Sequence, residues 1–344
     1  MGRGGLTMSR RNDGRRQSRL TRRNVLKSVG AAGIAFSAAN VVHANDPSPS
    51  DVFVVEGSVD DPVTQGQKDA AVRAAVDSFA DRGGDPGAEV GMTEAESRTG
   101  NPLVAFGVRL DEHGKPSTYH GFAADERAAA RRYDRLAELK QRWRSGRQTD
   151  SDVGTMGWSQ EGDAYSDDSS YPYGEVTLYT VYYEYNNNRL FETNTGMVPG
   201  TNIWSDSSHG NDRTVLYHNW GTSQLNSVDL ASWEKSGYDC GSHSWGVSLD
   251  ATGPTFSWTY SQADVCKYDN TNTQDDLVYL AWDDYSGGAR GSSVNYDMGS
   301  EAWTSGPSSC DTWRIGSTES HGRFEHWGDS EWVGTVQHHW SYTC

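Results

Sequence analysis

Val176-Thr177-Leu178-Tyr179-Thr180-Val181-Tyr182-Tyr183-Glu184-Tyr185 carries apolar or aromatic residues on both of its alternating faces, the pattern of a strand buried on both sides. Further runs of the same kind follow it. Trp245-Gly246-Val247-Ser248-Leu249 and Phe256-Ser257-Trp258-Thr259-Tyr260 alternate and flank Asp250-Ala251-Thr252-Gly253-Pro254, which has turn chemistry, so the two predict a hairpin. Leu277 to Trp282 is another two-sided strand, and the last run sets Val336, His338, Trp340 and Tyr342 on one face against Thr335, Gln337, His339 and Ser341. Gly- and Asn-rich breaks separate these runs, and no helical period follows residue 160. From Tyr171 to Cys344 the expectation is an all-β sandwich or jelly-roll-like domain. Trp220, Trp233, Trp245 and Trp258 lie 12 or 13 residues apart with unlike flanks, a strand-plus-turn rhythm rather than a repeat.

Upstream, residues 45–144 read as a small α+β unit. Thr64 to Asp81 has Val72, Val76 and Phe79 at helical spacing and stops before Gly83-Gly84. Leu103 to Leu110 predicts a strand, Asp111 to Pro116 a turn, and Ser117 to Phe122 the returning strand. Ala124 to Trp143 predicts a helix with Tyr133, Leu136, Leu139 and Trp143 as its apolar stripe and Arg127, Arg131, Arg132, Arg135, Lys140, Arg142 and Arg144 on its polar face. Residues 145–170 are Ser, Gly, Asp and Thr with few apolar residues, and predict a flexible acidic linker. A small unit, basic bonds at Arg142 to Arg147 and a distinct second domain form the layout of a propeptide joined to its product.

The first 44 residues carry an address. Thr21-Arg22-Arg23-Asn24-Val25-Leu26-Lys27, a weakly apolar stretch from Ser28 to Val42 and the small-residue site Val42-His43-Ala44 resemble a twin-arginine signal. That resemblance implies export of a folded protein, cleavage near Ala44 and a secreted, extracellular product. The apolar stretch falls short of the roughly 20 residues a spanning helix needs, so the mature chain is not expected to span a membrane.

Of 344 residues, 30 are Lys or Arg and 47 Asp or Glu. The signal holds nine of the basic residues and one of the acidic, which leaves 21 against 46, a net charge of −25 after cleavage. Such a field repels nucleic acid and anionic membranes. Acid excess, only six lysines and the twin-arginine signal together resemble the exported proteins of haloarchaea, with no specific functional family matched. In molar salt, where the Debye length is about 3 Å, this self-repulsion is screened. The basic helix then has a nearer partner than nucleic acid, since it can dock on the acidic C-terminal domain.

Cys240, Cys266, Cys310 and Cys344 all fall in the β domain, and an even count in an exported chain predicts two disulfides. Extending the Trp245 to Tyr260 hairpin outward brings Cys240 nearly opposite Cys266, leaving Cys310 for Cys344. No metal-ligand spacing of cysteines occurs.

The richest polar cluster is His321-Gly322-Arg323-Phe324-Glu325-His326-Trp327-Gly328-Asp329-Ser330-Glu331-Trp332. As one extended strand it would set Glu325, Trp327, Asp329 and Glu331 on one face, successive members about 7 Å apart. Carboxylates so spaced beside an indole are candidates for glycan stacking, for glycosidic cleavage or for Ca²⁺, the one cofactor the composition suggests; Asp167-Asp168, Asp275-Asp276 and Asp283-Asp284 are weaker calcium candidates. His338, on the Val336 and Trp340 face, reads as core rather than as a ligand beside His321, His326 and His339. Gly241-Ser242-His243-Ser244 is not a nucleophile elbow, and no phosphate loop, dinucleotide fingerprint or zinc-protease motif occurs, so no catalytic residue is assigned. Three functions fit. The first is a secreted β-sandwich binding a glycan or cell-surface polymer through exposed aromatics. The second is a secreted antimicrobial or toxin-like proprotein, which resembles the halocins in export route and layout. The third is a glycoside hydrolase using the carboxylates of residues 325–331.

Overall fold

The computed structural model describes residues 51–84, 93–145 and 158–343, apart from 222, 226, 234–238, 241–244, 251–252, 259–264, 285–286 and 306–311. Arg22, Arg23, Ala44, Cys310 and Cys344, with the export and disulfide expectations that rest on them, lie outside the described residues. In chain order the elements are β1 (Val52–Glu56), α1 (Gln65–Asp81), β2 (Thr93–Ser97), β3 (Leu103–Leu110), β4 (Pro116–Ala123), α2 (Glu126–Arg144), β5 (Ser159–Ser170), β6 (Gly174–Tyr185), β7 (Asn188–Pro199), α3 (Gly200–Ile203), β8 (Gly210–Asn219), β9 (Ser227–Trp233), β10 (Asp239–Cys240), β11 (Trp245–Asp250), β12 (Gly253–Trp258), β13 (Cys266–Asp269), β14 (Leu277–Asp283), α4 (Gly287–Arg290), β15 (Val294–Ser305), β16 (Thr312–His326) and β17 (Asp329–Thr343).

The two-sided run at Val176 becomes β6, in the middle of an eight-stranded sheet ordered β1-β3-β4-β5-β6-β7-β15-β9. A seven-stranded sheet, β10-β13-β14-β8-β16-β17-β2, lies against it. Leu178, Phe191 and Tyr296 from the first sheet and Leu216, Leu280 and Trp340 from the second share one core, with Phe191 stacked 4.2 Å from Trp220. This inter-sheet core is pinned by polar pairs as well. Thr180 bonds Thr318 at 2.9 Å, His218 bonds Thr193 at 2.8 Å and Ser300 at 2.7 Å, and His338 bonds Ser166 at 2.6 Å. His338 is thus a buried, hydrogen-bonded core residue. Burial holds both His218 and His338 neutral, with pKa values pushed down to about 3.

The helices sit where the sequence puts them, and they are capped. Thr64 opens α1 in a capping box with Gln67, and Asp125 opens α2 by accepting from the Arg127 and Ala128 amides. They cover opposite faces of the sheet's β1 and β3 edge. Phe53, Val55, Phe106 and Val108 meet Ala71, Ala75 and Phe79 of α1, whereas Val52, Val54 and Ala105 meet Leu136, Leu139 and Trp143 of α2.

Two stretches depart from expectation. Residues 159–170, expected to belong to a linker, form β5, paired parallel with β4 and antiparallel with β6. Composition misled because the strand's polar side chains are buried with partners from distant segments. Asp163 accepts from Ser117 at 2.7 Å, Asp167 from Tyr119 at 2.9 Å, and Asp168 from Ser97, Thr99 and Asn101 at 2.6, 3.0 and 2.6 Å. Arg132, expected on the polar face of α2, is buried and ion-paired with both Asp167 and Glu175. The strands of residues 51–123 accordingly share both sheets with the rest of the chain, β3 and β4 extending one and β2 edging the other against β17. All described residues belong to one compact unit.

Candidate functional site

The predicted cluster folds back on itself. Trp327 and Gly328 take φ values of 52° and 84°, a two-residue turn that ends β16 and starts β17. His326 faces Asp329, Glu325 faces Ser330, Phe324 faces Glu331, and Arg323 faces Trp332. Successive pairs of a hairpin point to opposite sides, so Glu325 and Glu331 lie on opposite faces. The single-strand row of Glu325, Trp327, Asp329 and Glu331 is therefore corrected: Glu325 does not share a face with Glu331, while Asp329 and Glu331 keep alternate positions on β17. Gly328 was the signal, since it supplies a positive φ at no steric cost.

Glu325 is held in place. It accepts from Arg290 at 3.1 Å and from the Gly328 amide at 3.2 Å, so it braces the turn on α4. Partial burial works to raise its pKa, but Arg290 outweighs this and the carboxyl sits below its ordinary range. The calcium candidates are likewise engaged, whereas Glu331 is exposed on β17. Asp283 pairs with Arg213 at 2.9 Å, Asp276 accepts from the Leu230 amide, and buried Asp284 accepts from Tyr296 and Thr214. Burial, only partly offset by those two bonds, raises Asp284 to about 7. His321 pairs with Glu319 at 2.8 Å, whereas His326 packs on His209. Among the described residues no three His, Cys, Asp or Glu gather as a metal site. A cleft of about 260 Å³ beside α2 is lined by Arg131, Arg132, Arg135, Asp167 and Glu175, which pair with one another and so form a structural junction.

What the turn does expose is an indole. Trp327 is 91% exposed, in a left-handed conformation that costs a bulky residue roughly 1–2 kcal/mol. Trp332 nearby is half-exposed with the Arg323 guanidinium 5.4 Å from its ring. Aromatic contacts continue from the turn to the neighbouring loops. His326 lies 5.3 Å from His209, His209 4.9 Å from Tyr173, and exposed Tyr171 5.6 Å from Trp204.

A second hairpin, expected from sequence only as part of the sandwich, is formed by β11 and β12, which among the described residues pair with each other and with neither large sheet. Their register sets Trp245 opposite Trp258, Val247 opposite Phe256 and Leu249 opposite Pro254 on one face. The other face has Gly246 opposite Ser257, Ser248 opposite Thr255 and Asp250 opposite Gly253. The sequence alternation of small polar with apolar residues runs from Ser242 to Asp250 and from Pro254 to Ser261, with His243 its one exception.

Register also places this hairpin's root. Cys240 faces Cys266, Cys266 faces Asp283, Asp283 faces Arg213, Arg213 faces Arg323, and Arg323 faces Trp332, one row across the seven-stranded sheet. Beyond that row β16 runs on to Trp327. In the same direction the chain leaves β10 after Cys240 and enters β13 at Cys266. The Trp327 turn and the root of β11 and β12 thus share one end of the sheet, where Arg213, Arg290 and Arg323 are each paired with a carboxylate.

No known family profile matches the chain, and no curated protein matches it. Among solved structures it is similar to one described as a pore forming protein, at 14% identity and TM-score 0.26, covering 51% of this chain and 85% of that one. It is also similar to Clostridium perfringens delta-toxin, at 11% identity and TM-score 0.26, covering 54% and 86%.

Proposed function

We propose that this chain is a secreted, toxin-like protein that acts on lipid bilayers by presenting the β11 and β12 hairpin to them. The observation that carries the reading is the hairpin's split into one apolar and one small-polar face, on strands that among the described residues add to neither sheet. Strands cross a bilayer only in closed barrels, which alternate apolar side chains toward lipid with polar ones toward the lumen. A crossing strand needs about 9–11 residues, and the two alternating runs span nine and eight. One hairpin cannot close a barrel, so several copies would have to contribute. No helix among the described residues is long and apolar enough to cross a membrane, and the hairpin acts as strands. Glycan binding rests on exposed aromatics alone, which the membrane reading uses as well.

The test is dye release from phosphatidylcholine vesicles at several salt concentrations. Val247 and Ser248 are adjacent but on opposite faces, so Val247→Lys places a charge toward lipid at a cost of about 2–4 kcal/mol at mid-bilayer, and Ser248→Lys does not. The expected result is release by the wild type and by Ser248→Lys, with loss in Val247→Lys. Equal release by both variants, or none from the wild type under any condition, overturns the proposal.

A further inference from the structure

Trp327 is placed at a cost to the fold and is left in solvent. The first residue of such a turn ordinarily is Asn, Asp or Gly, because only small or locally hydrogen-bonding residues take the left-handed region readily. Here an indole takes it at φ 52°, and at 91% exposure its ring keeps no more than an edge contact with His326, 6.0 Å away. Strained, exposed residues of this kind cluster where another molecule makes the contact. Register puts this indole at the end of the sheet from which the amphipathic hairpin emerges, so one surface can meet both.

We infer that the Trp327 turn is an interfacial anchor that seats the protein on a zwitterionic lipid surface before the hairpin engages it; the inference rests on the membrane reading above. An indole suits the headgroup layer, having an apolar body and one N–H for the wet side. The choice of lipid follows from charge. The arginines at this end are each spent on a carboxylate of the same end: Arg290 on Glu325, Arg323 on Asp212 and Arg213 on Asp283. Among the described residues no basic patch therefore faces the surface, and the chain's net charge of −17 opposes an anionic one.

The experiment is co-flotation of the full chain with phosphatidylcholine vesicles and with vesicles containing phosphatidylserine, comparing wild type, Trp327→Asn, Trp303→Thr and Val247→Lys. Asn preserves the turn and removes strain, so Trp327→Asn should melt no lower than wild type. Trp303 is the control, because it is also exposed but faces Asn188 at the opposite end of β7. Trp327→Asn should weaken partitioning into phosphatidylcholine about tenfold or more, as the loss of one buried aromatic surface implies. Trp303→Thr should stay within about twofold, and phosphatidylserine should weaken binding for every form. Trp327→Asn partitioning like wild type, or tighter binding to phosphatidylserine, overturns the anchor. Val247→Lys should float as wild type does yet release no dye. If it floats and still releases dye, the hairpin reading fails while the anchor stands.

Discussion

Replacing Arg132 by Met should destabilise the protein by about 3–5 kcal/mol, the cost of leaving buried carboxylates without their cation. Arg132 is 1% exposed, and its guanidinium meets both Asp167 and Glu175, themselves buried. Burial alone would disfavour each charge. Arg132 nevertheless stays protonated because the two carboxylates outweigh its desolvation, and Glu175 is held below its ordinary range because Arg132 and Arg131 outweigh its own. With an unfolding entropy of roughly 2 cal/mol/K per residue over about 300 residues, this loss lowers the melting temperature by about 5–8 °C. The assay is thermal unfolding followed by near-ultraviolet circular dichroism. Arg127→Met is the control, because its pair with Asp206 is exposed on both sides and should contribute within about 0.5 kcal/mol. A buried pair is weakly screened, so the Arg132→Met deficit should persist in molar salt. The triple variant Arg132→Met, Asp167→Asn, Glu175→Gln should recover most of it, since it leaves no buried charge unpaired; Arg131 and Arg135, which lose these partners, reach solvent. A deficit no larger than that of Arg127→Met, or one that salt abolishes, refutes the reasoning.

Buried titrating groups set opposed pH dependences. His218 and His338 have folded pKa values of about 3 against about 6.5 unfolded, so their contribution is complete above pH 6.5 and falls away as pH drops toward 3. Asp284, raised to about 7, and Asp163, raised to about 6, act the other way, their contribution complete below about pH 4 and lost as pH rises through those values. Asp284→Asn should therefore flatten the fall in melting temperature between pH 5 and 8; an unchanged fall clears Asp284 as its source. Cys240 and Cys266 occupy directly opposed register positions, so a non-reducing digest should yield a peptide joining them, closing a loop worth about 3–4 kcal/mol. Alkylation of either thiol without reduction would count against it.

Much of the architecture was legible because alternation and capping are local. The strands at Leu103, Val176 and Leu277, the hairpin of Trp245 with Trp258 and both long helices stand where period and punctuation put them. β5 was not, because Asp163, Asp167 and Asp168 look like solvated chain until Ser117, Arg132 and Ser97 are brought to them by the fold. The sequence offers no signal for partners tens of residues away. The cluster of residues 321–332 failed for the opposite reason. There the signal is local, because Gly328 reverses the chain within the cluster. The β11 and β12 hairpin stands on the two runs that alternation picks out, although Asp250, Gly253 and Pro254, expected in its turn, are paired strand residues. Its lack of a ladder to either sheet among the described residues is a tertiary fact that alternation alone does not contain.

The same topology constrains the proprotein layout. β4 and β5 are parallel neighbours joined through α2, and their ladder runs from Ser117 with Asp163 to Ala123 with Ser169. On the other sheet β2 is hydrogen-bonded to β17 from Thr93 with Trp340 to Ser97 with Val336. A cut among Arg142 to Arg147 would sever the covalent link while leaving both ladders and the Arg132 pairs intact. Parting the two pieces would expose the long edges of β5 and β17 and strip Asp167 and Glu175 of their cation, each costly in water. If the chain is activated by proteolysis, the cut therefore acts by freeing a joint inside a nicked, still-assembled protein. Residues 51–144 would then remain as scaffold for the end that bears Trp327 and the hairpin root.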